Sequence, residues 1–205
     1  EHCTDAEFYG DASDNYGLFG EDHRNDRHIK TGMAHCVYSS DDEIKRLYDN
    51  GVFVAHCPAS NVNLSSGIAP IRRYIDEGLK IGLGSDVAGG HTESMLSAVC
   101  DAVQVSKLYW RIIDQSKLPL TFDEAFFLGT KGGGEFFGKV GSFEEGYDFS
   151  AVVLDDAVIP YPGELSLHDR LERAAYLSLD LIGLHAKYVS GKKIFDHMAE
   201  ERRSI

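Results

Sequence analysis

Positive charge is scarce in this chain of 205 residues: 20 lysines and arginines stand against 33 aspartates and glutamates, a formal net charge of −13. So acidic a balance argues against a nucleic-acid backbone or an anionic membrane as the main partner. Long apolar runs are missing too, since no stretch approaches the roughly 20 residues of a membrane-spanning helix. Cysteine is thinly spread: Cys3, Cys36, Cys57 and Cys100 form no C-x-x-C pair and read as reduced, buried thiols of a cytoplasmic protein. There is no initiator methionine, signal-like segment, internal repeat or low-complexity tract. The first residue therefore says nothing about targeting, and the chain reads as one that starts inside something longer. What is present, 43% hydrophobic and 26% charged residues, is the composition of an ordinary globular protein.

From residue 29 the pattern becomes regular. "IKTGMAH" is a short apolar run ending in His35, and Ser40 with Glu43 then forms an S-x-x-E capping box before the helical spacing of Ile44, Leu47 and Tyr48. Gly51 stops that helix. "VFVAH" is the next strand, ending in His56; "CPASNVNLSSG" reads as a long polar loop, followed by the helix "IAPIRRYIDEG" closed by Gly78. "KIGLGS" is a third strand with Asp86 just beyond it, followed by a long helix over "ESMLSAVCDAVQVSKLYWRIID" with Met95, Leu96, Val99, Val103 and Leu108 along one side. Strands alternating with helices predict a parallel α/β sheet. Later, a second capping box at Thr121 and Glu124 opens two short helical pieces separated by glycines. A strand in "SAVVLDD", a helix in "LHDRLERAAYLSL" and a hairpin around Ser190 and Gly191 follow, and the tail "DHMAEERRSI" is polar.

Each of the three strands ends on a residue able to bind metal or move protons: His35, His56 and Asp86. Carboxyl ends of parallel strands are where ligands bind. Singly, each has an ordinary alternative, a structural histidine or a helix cap; three in succession favour a site. A carboxylate at the mouth of an apolar strand also needs something to receive its charge. Gly89 and Gly90 are expected to keep the backbone open around it. His91-Thr92-Glu93 spells H-x-E, which in one zinc deaminase fold accompanies P-C-x-x-C. That partner motif is absent here, and Glu93 is expected in the first turn of the long helix, where a carboxylate suits the dipole.

The stretches "EFYGDASDNYGLFG", "AHC" at 34–36, "AHCPASNVNLSSG" at 55–67, "GLGSDVAGGHTESM" at 82–95 and "GSFEEGYDFSAVVLDD" at 141–156 occur in an order that resembles the later half of the amidohydrolase superfamily of metal-dependent deaminases. The "DVAGG" run is similar to the branch that acts on guanine. The resemblance implies an α/β fold made of the last three βα units of a (β/α)8 TIM barrel, over 1–140. Part of a small β-sandwich with an intervening helix would span 141–195, and a tail 196–205. The family's H-x-H pair, its strand-five histidine with the nearby glutamate, and its substrate-clamping arginine have no counterpart in the chain, and Glu1 and His2 are not assigned to them.

The implied reaction is hydrolytic deamination of guanine to xanthine and ammonia. The alternatives are another aminohydrolase or amidase on the same fold, or an inactive fragment acting as a binding module. The implied cofactor is one zinc, or iron in its place, held by Asp86, which also exchanges a proton with the attacking water. His35 orients that water, and both residues contact the substrate. His56 either supports the site from behind or packs at the barrel rim, and Asn61 is placed with it. The implied partners are a small purine and, for the complete enzyme, a second copy in a homodimer, with no nucleic acid and no membrane. The isolated chain is expected to be inactive. Two departures from the family pattern, Ser150 in place of an aspartate and Gly129 in place of an alanine, are expected to loosen the smaller domain.

Overall fold

The computed structural model describes residues 31–197. The stretch at 7–20, Cys3 and the end of the tail lie outside them. Strands β1 (Gly32–Ala34), β2 (Phe53–His56) and β3 (Lys80–Leu83) form a parallel sheet in that order, the α/β arrangement that the alternating pattern predicts. Between β1 and β2 runs α1 (Asp41–Asp49), whose Ser40–Glu43 capping box is fully formed. The helix buries Ile44 and Leu47 and leaves Tyr48 exposed. The segment after β2, expected to be a polar loop, contains a short helix, α2 (Pro58–Asn63). Pro58 sits at its first turn, where the missing N–H costs nothing, so a helix start signal was present in the sequence. Helix α3 (Ile71–Asp76) leads into β3.

Helix α4 (Met95–Leu108) runs on into a π-helical turn at Tyr109–Ile113. Its buried face carries Ala98, Val99, Ala102 and Val103, whereas Met95 and Leu108, expected on that face, are exposed. The core of this layer is formed by Ile44, Leu47, Val54, Tyr74, Ile81 and Val103 with their neighbours. Helix α5 (Phe122–Phe127) opens with the Thr121–Glu124 capping box and passes without a break into a π-turn at Leu128–Gly132. The glycines here join where two separate pieces were expected. A Cβ on Gly82 would lie 2.8 Å from the Cα of Gly133, so the missing side chains let helix backbone rest directly on β3. At Gly129 a Cβ would lie 3.0 Å from Val99 Cγ2 and 3.6 Å from Leu83 Cδ1.

Strands β4 (Ala151–Leu154), β5 (Leu184–Val189) and β6 (Lys192–Asp196) form a second, antiparallel sheet. The β5–β6 hairpin turns at Ser190 and Gly191, both at positive φ (46° and 76°), the geometry of a two-residue type I′ turn. Ser150 accepts a hydrogen bond from Ser190 N at 3.2 Å and so ties β4 to that turn. Between β4 and β5 lie α6 (Leu167–Tyr176) and α7 (Leu179–Ile182). Ala175 of α6 belongs to the same core as the parallel sheet.

Asp180 of α7 accepts hydrogen bonds from the buried Ser94 hydroxyl at 2.7 and 2.8 Å, one on each carboxylate oxygen. Ser94 is the N-cap of α4 and accepts in turn from Ser97 N at 3.0 Å. The carboxylate at the start of α4 is therefore Asp180, supplied from α7; Glu93 precedes the cap and is exposed, not part of the first turn. Replacing Asp180 with alanine strips a buried hydroxyl of its acceptor and a helix N-terminus of its negative charge. The expected loss is about 1–3 kcal/mol of stability, read by urea unfolding of the protein. Asp180→Asn, which keeps an acceptor oxygen, is expected to lose less.

Candidate active site

The register of the parallel sheet sets His35 and His56 side by side. Ala34 pairs with Ala55 and His56 with Leu83, and the ladder continues past β1 through His35 N, which donates to Ala55 O at 2.9 Å. Beyond the strand the chain turns sharply: His35 and Cys36 both take positive φ, 68° and 47°. The fully buried Tyr74 of α3 donates its hydroxyl to the carbonyl of Cys36, holding that turn from beneath. Asp86, three residues past β3, is also left-handed at φ 47°. Non-glycine residues in this region are uncommon and cluster at functional sites.

The turn brings the side chains of His35 and Asp86 together, with Nε2 to Oδ2 at 3.8 Å. Asp86 is not buried, as its position at a strand end suggested; its side chain is 40% exposed beside a His35 that is 33% exposed. The glycines after it bring the backbone close rather than opening it. A Cβ on Gly89 would lie 2.8 Å from Asp86 Oδ2, and one on Gly90 only 2.1 Å from Ser85 O. Behind this pair, His35 Nδ1 is 2.8 Å from Asn61 Oδ1. Asn61 is fully buried on α2, and its Nδ2 has no hydrogen-bond partner among the described residues.

His56 is buried, with neither ring nitrogen hydrogen-bonded among the described residues. Burial first, and then the electrostatic influence of the neighbouring His35, lower its pKa to about 4, so it is neutral at physiological pH. Cys57 is pushed up to about 11, by burial first and then by the Asp86 carboxylate. It stays a thiol and offers no thiolate to a metal. Of the expected constellation, then, His35, Asp86 and Asn61 are in a chain of close approach, while His56 lies beneath. One grouping of three metal-ligating side chains occurs among the described residues, His168, Asp169 and Glu172, and it is on α6, not at the strand ends. His91 of the H-x-E run lies 4.0 Å from Asp101 Oδ2.

Sequence reasoning named Asn61 but missed α2, the helix that carries it, and the contribution of Asn63. Asn63 donates from Nδ2 to Gly89 O at 2.8 Å, so this helix touches both the His35 ring and the Asp86 loop. The signals that would have revealed it were Pro58 at a helix start and two asparagines in "NVN" at a two-residue spacing.

Because His56 binds its proton below about pH 4 when folded and below about 6.5 when unfolded, the stability gained by burying it neutral is complete above pH 6.5. It is lost as the pH falls toward 4. The loss is up to about 3 kcal/mol. Urea midpoints at pH 7.5 and 4.5 are expected to differ less in His56→Leu than in the parent; equal falls in both would remove the assignment.

The amidohydrolase family model matches residues 2–189. The chain is 38% identical over 173 residues to a guanine deaminase of Dictyostelium discoideum, covering 80% of this chain and 38% of that protein. It is 36% identical over 176 residues to the human guanine deaminase, with the same coverage. The crystal structure of a guanine deaminase from C. acetobutylicum with guanine bound in its active site superposes with a TM-score of 0.81 at 46% identity, covering 92% of this chain and 43% of that one. The chain thus spans about two fifths of the length of these relatives.

Proposed function

Because this chain belongs to the amidohydrolase family, we propose that its parallel strands are the last three βα units of a (β/α)8 barrel whose complete form deaminates guanine to xanthine and ammonia. On this reading residues 1–140 are barrel, 141–195 part of a small β-sandwich with its intervening helices, and 196–205 a tail. The observation that carries the reading is the meeting of His35 Nε2 and Asp86 Oδ2, 3.8 Å apart at adjoining strand ends. Its setting is a fold held in common with a protein that binds guanine. The substrate is a small purine. The net charge of −13 favours neither nucleic acid nor an anionic membrane, and no described helix is long and apolar enough to cross a bilayer. A homodimer in the cytoplasm completes the proposal.

The residues suit a catalytic zinc, with iron as the other candidate. Asp86 presents an exposed carboxylate to the space that His35 Nε2 also faces, and an oxygen donor of this kind holds either ion. A catalytic zinc takes three or more protein ligands, so on this reading the others come from outside the described residues. When bound, the ion supplies Lewis acidity that brings the pKa of a coordinated water to about 7. Asp86 contributes a ligand oxygen, and its Oδ2, turned toward His35, accepts a proton from the attacking water and returns it to the leaving ammonia. His35 Nε2 faces the same water and fixes its direction of attack on the ring carbon bearing the amine. The close backbone of Gly89 holds the Asp86 carboxylate in place.

In the complete polypeptide, Asp86→Ala is expected to lose metal and guanine turnover together, whereas His35→Ala keeps its metal and loses about 10²- to 10⁴-fold in kcat. Atomic absorption and ammonia release measure the two; unchanged metal content in the Asp86 variant would refute its role as ligand. The 205-residue chain purified by itself is expected to release no ammonia from guanine and to self-associate. β1 and β3 are the edge strands of this sheet among the described residues, and an open edge invites pairing with another chain. A monodisperse, active monomer would overturn both the barrel reading and the incompleteness of the site.

A further inference from the structure

Helix α2 reaches both halves of the site through side chains two residues apart, and its energetics are odd. Asn61 is 1% exposed, yet its Nδ2 has no hydrogen-bond partner among the described residues. A buried amide with half its hydrogen-bonding capacity unmet is costly, whereas an apolar residue of similar size would pack there without that cost. The one return on the amide is its Oδ1, which faces His35 Nδ1 at 2.8 Å. A carbonyl oxygen can only accept, so Nδ1 must carry the ring proton, and in a neutral imidazole Nε2 then holds the lone pair. That nitrogen is the one facing Asp86.

Asn63 works on the other half. Its Nδ2 donates to Gly89 O at 2.8 Å, and Gly89 is the residue whose backbone lies so close that a Cβ would sit 2.8 Å from Asp86 Oδ2 and 3.3 Å from the Cβ of Ser60. The Asp86 loop is thus pressed between its own carboxylate and α2.

We propose that α2 is the positioning element of the site, with Asn61 selecting the Nδ1–H tautomer of His35 and Asn63 fixing the loop that presents Asp86. The proposal rests on the reading of Asp86 as metal ligand and His35 as the group facing the attacking water. With Nε2 unprotonated, His35 and Asp86 offer two acceptors to one space. Such a pair orients both O–H bonds of a water placed between them, and the 3.8 Å gap leaves them unbonded to each other. Neither asparagine touches the reacting atoms; each acts through the residue it holds.

Three variants of the complete polypeptide separate these roles. Asn61→Ala is expected to keep zinc affinity, measured by competition with a chromophoric chelator, and to lose about 10- to 100-fold in kcat with KM little changed. Long-range ¹H–¹⁵N spectra of the ring nitrogens are expected to show that His35 no longer holds its proton solely on Nδ1. Asn61→Asp, which keeps an acceptor oxygen at the same place, is expected to keep Nδ1 protonated. Asn63→Ala is expected to weaken zinc affinity about 10- to 100-fold, with the His35 tautomer unchanged and turnover recovered at saturating zinc. An unaltered tautomer in Asn61→Ala, loss of the Nδ1 proton in Asn61→Asp, or undiminished zinc affinity in Asn63→Ala overturns the proposal. The tautomer spectra are independent of substrate. If the parent protein fails to turn over guanine while the ring nitrogens respond as stated, the assigned reaction is wrong and the positioning role stands.

Discussion

The site depends on the parallel register of three short strands. Pairing Ala34 with Ala55 and His56 with Leu83 makes the strands end within a residue or two of one another, so the chain emerges from each at the same edge of the sheet. A slip of one residue in any strand would turn its side chains to the opposite face and part His35 from Asp86. What fixes the register is the apolar layer on either side. Val54 and Ile81 are buried in the middle of β2 and β3, Tyr74 and Val103 pack over them from helices, and Gly82 lets the backbone of Gly133 come close. The precision of the polar edge is thus a consequence of close packing in an apolar interior.

Above that rigid layer the backbone departs from regular structure. His35, Cys36 and Asp86 are all left-handed, at a cost of order 1 kcal/mol or more each. The conformation persists because it is held at several points: Tyr74 donates to the Cys36 carbonyl, Asn61 faces the His35 ring, and Gly90 N donates to Asp86 O at 2.6 Å. Strain and support therefore sit at the same three or four residues. The segment between β4 and β5 enters this scheme through Asp180 of α7, whose bonds to Ser94 anchor the start of α4, eight residues beyond Asp86. The loop carrying Asp86 is accordingly held from α2 on one side and closed by a fixed helix cap on the other.

Features encoded in adjacent residues were legible in the sequence. The Ser40–Glu43 and Thr121–Glu124 boxes each require only a hydroxyl and a carboxylate three positions apart, and both form; the Ser190–Gly191 turn needs only two residues that tolerate positive φ. The three strand-end residues were legible for a similar reason, since the alternation of apolar runs with helical spacing marks where strands stop. Features that depend on distant partners were not. The "CPASNVN" segment lacks an apolar stripe at helical spacing, because α2 buries the polar side chains Ser60 and Asn61 beside Pro58 and Ala59, and so it reads as loop. The glycines at 132–134 look like a helix break unless the approach of β3 is known. Glu93 looked like the dipole partner of α4 because nothing local announces that Asp180, 86 residues beyond Ser94, takes that place.

The electrostatics of the site follow from the same layering. Beneath the strand ends, burial keeps His56 neutral, with a pKa near 4, and keeps Cys57 a thiol, with a pKa near 11. Both shifts also carry the imprint of the groups above: His35 contributes to the first and Asp86 to the second. At neutral pH neither of these two groups therefore carries a charge. The negative charge of Asp86 receives no compensation from either of them, and over such a low-dielectric layer its field is directed outward, into the space shared with His35. A carboxylate so placed favours a cation approaching from the open side, and a neutral histidine in the floor, unlike a charged one, does not repel it. The lowering of His56 and the exposure of Asp86 are two parts of one arrangement, in which desolvation removes positive charge from the interior and leaves the Asp86 carboxylate at the rim.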